Sequence, residues 1–183
     1  SHPLPSGFQY SGIACGIKNS GKPDLAMIVG DQPVVAAGVY TQNVVHAASI
    51  DWNRARTPGA QIRGVVINSG NANACTGEQG VADNEEFARL AATELGSEPD
   101  QILVLSTGII GEPLPMDKIS VGAQQAGADL GADGAEFDRA ALAITTTDQF
   151  VKTASRQIST PQGTITLTGM AKGAGMIGPN MAT

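Results

Sequence analysis

Apolar residues in this chain come in short runs, each closed by a turn residue. The segments "DLAMIVG", "VVAAGVYT", "RGVVINSG", "ILVLSTGII" and "GTITLTGM" are bounded by Gly, Pro, Asn or Asp and predict strands. Elsewhere the period lengthens to that of a helix. Asp83 is placed to cap a helix start, and Glu86, three residues on, gives capping-box spacing. Phe87, Leu90, Ala91 and Leu95 then share one face, and Gly96 stops the run. A second helix is expected to follow "PMDKIS". A third covers "EFDRAALAI", with Phe137, Ala140, Ala141 and Ile144 inward. Between these two, "QQAGADLGADGAEF" reads as an acidic loop. There is no internal repeat and no linker. The mixture predicts an α/β fold whose strands near both ends form hairpins rather than a doubly wound sheet.

Composition narrows the class of partner. The 183 residues fit one domain or two small ones, and 42% hydrophobic content is ordinary for a globular chain. Aromatics are only 4%, while 23 glycines let backbones approach each other and a ligand closely. A net charge of −6 with no Lys/Arg cluster opposes binding to nucleic acid or an anionic membrane. No apolar run approaches the ~18 residues of a membrane span. The opening "SHPLPSGFQY" lacks the basic-then-apolar pattern of a signal peptide. Cys15 and Cys75 lack metal-site spacing and read as small buried side chains in a reducing cytosol, so a cytoplasmic location is expected.

Several segments carry candidate chemistry. "GAGMIG", Gly173 to Gly178, matches the dinucleotide pattern G-x-G-x-x-G after a strand. Pro179 follows at once, however, and no ribose-binding acid lies about 20 residues on. "INSGNANACTG" sets Asn68, Asn71 and Asn73 after a strand, suited to a hydrogen-bonded loop or to direct contact with substrate. "LSTGIIG", Leu105 to Gly111, offers a hydroxyl beside a glycine N–H at a strand end. That is the equipment of an oxyanion hole, and equally of an ordinary turn. The three threonines of "ITTTDQ" either turn the chain or present hydroxyls. His46 stands outside any motif.

No cysteine–histidine pair, serine triad or metal cluster assembles from these spacings, so the remaining nucleophile is a hydroxyl. Threonine needs a base beside it. Cutting the preceding peptide bond supplies one, because the freed α-amine, with a pKa of about 7.7–8.0, can take the hydroxyl proton. The last residues, "NMAT", are what such a cut would concern.

With these residues in view, the chain resembles the ornithine acetyltransferase family, the glutamate N-acetyltransferases of arginine biosynthesis. "KGAGMIGPNMAT" is similar to the family's self-cleavage signature, and the likeness runs through "LPSGFQYSGIACGIK", "DLAMIV", "AAGVYTQNVVHAA", "VVINSGNANACTG", "STGIIG" and "AITTTDQFVK". It covers residues 1–183 as a single domain, the N-terminal α half of a precursor.

The resemblance implies a self-processing, N-terminal-nucleophile-like α/β fold of mixed sheets layered with helices and completed by a second chain. It implies cleavage between Ala182 and Thr183, and Thr183 as the nucleophile that carries an acetyl group from N2-acetylornithine to glutamate. Thr107 and Gly108 match the family's oxyanion hole. Thr146 and Lys172 match substrate contacts, as does Thr183. No cofactor is implied, although acetyl-CoA serves some members as a second donor. The partner implied is the chain's own β half, in an α2β2 heterotetramer. Gln149, Gly178 and His46 depart from the family pattern, and none is a transferred catalytic position. Because the chain includes Thr183, its boundary is expected to reflect division of the chain or an unprocessed precursor. An N-terminal-nucleophile amidohydrolase or peptidase remains the alternative, with a nucleotide-binding module through Gly173–Gly178 in another class.

Overall fold

Leu25, Met27 and Val29 face one side of a strand while Ala26 and Ile28 face the other, and both sides are buried. The computed structural model, which describes residues 3–173, places this strand second in a four-stranded sheet. Strand β2 (Leu25–Ala36) pairs antiparallel with β1 (Phe8–Ile13) and with β3 (Gly59–Asn71). The fourth strand, β4 (Ile102–Ile109), runs parallel to β3. A parallel pair requires a crossover, and helix α2 (Gly77–Leu95) supplies it.

Helices cover both faces of the sheet. On one, α2 and α3 (Met116–Ala128) bring Phe87, Ala91, Ile119 and Ala126 onto Met27 and Val104. On the other, α4 (Gly134–Ala143) lays Phe137, Ala140 and Ile144 against Ala26 and Ile67. Tyr10 meets Phe137 edge to face, with ring centroids 5.3 Å apart. Small alanines on the helices let the layers approach closely, which suits a chain poor in aromatics.

Both edges of this sheet are occupied. Helix α1 (Ala48–Arg54) inserts Asn53 beside β4. Its amide donates to Val104 O at 2.8 Å and accepts from Val104 N at 3.0 Å, pairing as a strand residue would. Trp52 Nε1 adds a 2.8 Å bond to Ile102 O. At the opposite edge Tyr10 of β1 exchanges two backbone bonds with Gly131, at 2.8 and 3.1 Å.

The last two strands, β5 (Lys152–Thr160) and β6 (Gly163–Ala171), form an antiparallel hairpin in register from Lys152–Ala171 to Thr160–Gly163. Met170 packs on the α4-side core, and Thr168 Oγ1 donates to Pro3 O at 2.8 Å, joining hairpin to body.

The α/β mixture and the terminal antiparallel pairs agree with the sequence expectation. Several details differ. Helix α2 begins at Gly77, not near Asp83, because its first turn packs on the asparagine loop, where Gly80 is buried. Asp83 lies inside the helix and accepts a 2.7 Å bond from Gln79. The expected acidic loop is mostly helix, since α3 continues to Ala128 and α4 already starts at Gly134. Only Val34–Ala36 of "VVAAGVYT" belong to a strand. Register shifts after Val29 end regular pairing there. Against the expectation that both cysteines are buried, Cys15 is only half-buried and Cys75 is exposed at φ +57°, in a turn outside the core.

Candidate active site

The ends of β3 and β4 lie side by side, and their residues determine how closely. Gly108 sits at φ +141°, and a Cβ there would fall 2.2 Å from the Gly70 carbonyl carbon. Only glycine satisfies both demands. The parallel register turns irregular at this point, with Asn71 facing both Thr107 and Ile109. The β4 end is then tied down by asparagine. Asn71 Nδ2 donates to Glu112 O and Pro113 O at 3.0 and 2.9 Å, while its Oδ1 accepts Asn73 N at 2.8 Å. Asn73, at φ +46°, donates to Gly80 O at 2.8 Å. Asn68 Nδ2 reaches Asn71 O at 2.9 Å. All three asparagines are buried. Their bonds make the hydrogen-bonded loop, and the direct-contact reading gains no support from this geometry.

Onto this frame the fold brings residues from two other segments. Lys172, just past β6, donates from Nζ to Thr107 Oγ1 at 2.6 Å. An ammonium can only donate, so the threonine oxygen accepts and its own hydrogen is left for another acceptor. The next residue, Gly173, donates its N–H to Asp148 Oδ1 at 2.7 Å. Asp148 Oδ2 accepts Thr146 N at 3.1 Å, and Oδ1 also accepts Lys152 Nζ at 2.6 Å. The Lys172–Thr107 pair and the bonds around Asp148, which include the Thr146 backbone N–H, are thus two neighbouring sets joined by the Lys172–Gly173 peptide bond. The Asp148 side chain is 1% exposed.

The electrostatics follow from these contacts. Burial acts to raise the Asp148 pKa, but Lys152 and the two backbone N–H donors outweigh it and hold the carboxyl well below its usual range. Lys172 is lowered by loss of hydration, with Asp148 acting in the opposite sense. Lys18 is also lowered by burial; it donates to Pro23 O at 2.8 Å and to Ala143 O at 3.4 Å, near the start of the threonine loop. Nearby, Asp24 accepts from Cys15 N and Lys18 N at 2.8 and 2.9 Å. Burial and the Asp24 carboxylate push the Cys15 thiol up to about 12, which leaves it protonated and unreactive.

Ala182 and Thr183 lie outside the described residues, as do all of the Gly173–Gly178 motif except Gly173. His46 is a surface group bridging Asn43 O and Asp51, away from this network. Among the described residues no cluster of His, Cys, Asp and Glu could hold a metal, and no helix is long and apolar enough to cross a membrane. A shallow groove of about 660 Å³ runs along the hairpin, lined chiefly by apolar surface, and reaches Lys152 and Ala171 beside the site. Sequence reasoning missed Asp148 and Lys152. The available signal was an acid directly after three threonines with a lysine four residues later.

The model of the ArgJ family matches residues 9–183. The arginine biosynthesis bifunctional protein ArgJ of Rhodopirellula baltica is 48% identical over 183 residues, and that of Symbiobacterium thermophilum is 50% identical over 181. These matches span 100% and 98% of this chain but only 45% and 44% of the relatives' length. Among solved structures, the Bacillus halodurans ArgJ protein superposes with a TM-score of 0.91 at 37% identity, covering 97% of this chain and 92% of that one. The ornithine acetyltransferase of Mycobacterium tuberculosis, solved in complex with ornithine, gives 0.89 at 40% identity, with 96% and 92% covered.

Proposed function

Since the chain belongs to the ArgJ family, we propose that the complete protein transfers an acetyl group from N2-acetylornithine to glutamate, in arginine biosynthesis. This chain is its α half, a single domain over residues 1–183. The observation that carries the reading is the Lys172–Thr107 bond between the ends of β6 and β4, with the Thr146 loop tied to the next residue, Gly173, through Asp148.

The chemistry begins with maturation. Thr183 Oγ attacks the Ala182 carbonyl, the amide becomes an ester, and water resolves it to an Ala182 carboxylate and a Thr183 α-amine. In transfer, that amine takes the hydroxyl proton as Thr183 Oγ attacks the acetyl carbonyl of acetylornithine. Negative charge develops on the carbonyl oxygen. The Thr107 hydroxyl, its oxygen already accepting from Lys172, turns its hydrogen to that charge together with the Gly108 N–H. Collapse expels ornithine, whose nitrogen receives the proton, and leaves acetyl-Thr183. The glutamate amine then attacks the ester, the same donors hold the second oxyanion, and Thr183 is regenerated. Thr146 and Lys172 contact the substrates. Their hydroxyl and ammonium groups suit ligands bearing carboxylates.

The second chain begins at Thr183, packs against the hairpin and groove, and completes an α2β2 assembly in the cytoplasm. Incubating the complete protein with N-acetylornithine and glutamate tests the reading, with acetylglutamate as the expected product. Amide hydrolysis without transfer would instead indicate an N-terminal-nucleophile hydrolase. Tight dinucleotide binding with neither activity would end the proposal. Offering acetyl-CoA and glutamate alone decides whether a second donor is used.

A further inference from the structure

The Asp148 carboxylate ties its own loop and the start of β5 to the distant segment beyond β6. It accepts Thr146 N from the loop after α4, Lys152 Nζ from the start of β5 and Gly173 N just beyond the end of β6. A carboxylate offers about four lone-pair sites, and these bonds use three of them. The side chain is 1% exposed, so its charge is retained in the fold because these donors surround it. Of the three bonds, that to Gly173 has the furthest consequence. Register pairing in the hairpin stops at Lys152–Ala171, so no strand partner fixes residues 172 and 173. The Asp148 bond fixes Gly173, and the adjacent Lys172 then reaches Thr107 Oγ1 at 2.6 Å.

We propose that Asp148 is a positioning residue: by anchoring the Gly173 amide it sets the Lys172 ammonium against Thr107 and so fixes the hydroxyl that serves the oxyanion. Asp148 itself touches no reacting atom. The charged groups around it are Lys152, Lys172 and, further off, Lys18. The kinetic consequences rest on the acetyl-transfer reading, whereas the anchor itself does not.

Asp148→Asn keeps the size and one acceptor oxygen but removes the charge. In the complete protein it is expected to lower kcat about 10²-fold, the cost of a displacement on the order of 1 Å, and to raise KM less than Lys172→Ala does, since the ammonium is displaced rather than removed. Combined with Lys172→Ala it should add no loss beyond that of Lys172→Ala alone, because both act through one contact. Wild-type kcat in Asp148→Asn, or losses that multiply in the double variant, would overturn the proposal. A second measurement needs neither a variant nor turnover. In the wild-type protein the Gly173 amide should resist hydrogen exchange, although it lies beyond the paired strands. Exchange at the rate of an unprotected amide refutes the anchor. Protection of Gly173 in a protein that transfers no acetyl group would uphold the anchor and refute the functional reading.

Discussion

Lys172 Nζ donates a 2.6 Å hydrogen bond to Thr107 Oγ1, linking the end of β6 to the end of β4. The bond commits the threonine oxygen as an acceptor and frees its hydrogen for the oxyanion. Thr107→Ala is therefore expected to lower kcat about 10²–10³-fold with a much smaller change in KM. Thr107→Ser should keep most of the rate. Steady-state kinetics with a thermal melt decide this, since a loss of stability with unchanged turnover would reduce Thr107 to a strand-end residue.

Protonated, Lys172 can only donate in that bond, whereas the neutral amine could also accept the Thr107 hydrogen. Loss of hydration lowers its pKa from the ordinary lysine value. Activity should accordingly fall as pH rises through a value below that of free lysine. Lys172→Arg should carry this alkaline limb out of the measurable range, and Lys172→Ala should raise KM and lower kcat at every pH. A limb unmoved in the arginine variant would assign it to another group.

Gly108→Ala adds a methyl group where φ is +141° and the Gly70 carbonyl carbon would lie 2.2 Å away. The backbone strain alone costs about 1–3 kcal/mol. The ends of β3 and β4 must also separate, so activity should be lost to a greater degree than stability. Denaturant melts and assays of the same preparation measure both.

Thr183→Ala in the precursor should remain one uncut polypeptide, and Thr183→Ser should still be cut. Mass spectrometry of the two products, with N-terminal sequencing of the second chain, reads the outcome. An active enzyme whose second chain begins after Thr183 would exclude the free-amine mechanism.

For acid stability the relevant group is Asp148. Its folded-state pKa lies below the ordinary value of 3.8, so its contribution is fully present above that value and is lost only as pH falls through the depressed one. Asp148→Asn should therefore narrow the stability gap to wild type only in strongly acidic solution. A gap that closes already near neutral pH would place the charge elsewhere.

Most of the framework was legible in sequence because it depends on local period. Short apolar runs closed by turn residues marked β2, β3 and β4, and the face of Phe87 and Ala91 marked α2. The start of α2 was not legible, because Gly77–Gly80 are helical through packing on Asn73 rather than through a cap. Strand β1 and helix α1 are short, and each is fixed by contacts to distant residues, Gly131 for Tyr10 and Val104 for Asn53. The site divides in the same way. Thr107, Gly108, Thr146 and Lys172 came through resemblance to a family, while the role of Asp148 emerged only when the distant Gly173 met the threonine loop. A carboxylate that links segments leaves no periodic trace in any of them.

The Asn53 amide beside Val104 has a consequence for how this chain recruits others. An edge strand open to a partner is also open to a wrong one. With Asn53 and Trp52 on β4 and Gly131 on β1, both edges of the four-stranded sheet already carry pairing partners. Asn53→Ala reopens the β4 edge, at a cost of about 1–3 kcal/mol for each backbone group left without a partner. The variant should both melt earlier and self-associate as concentration rises, which light scattering detects. The hairpin is different: among the described residues β5 and β6 have no third strand. Among the described residues the hairpin is thereby the element most open to strand exchange between copies of this chain, and the one a legitimate partner has most to shield.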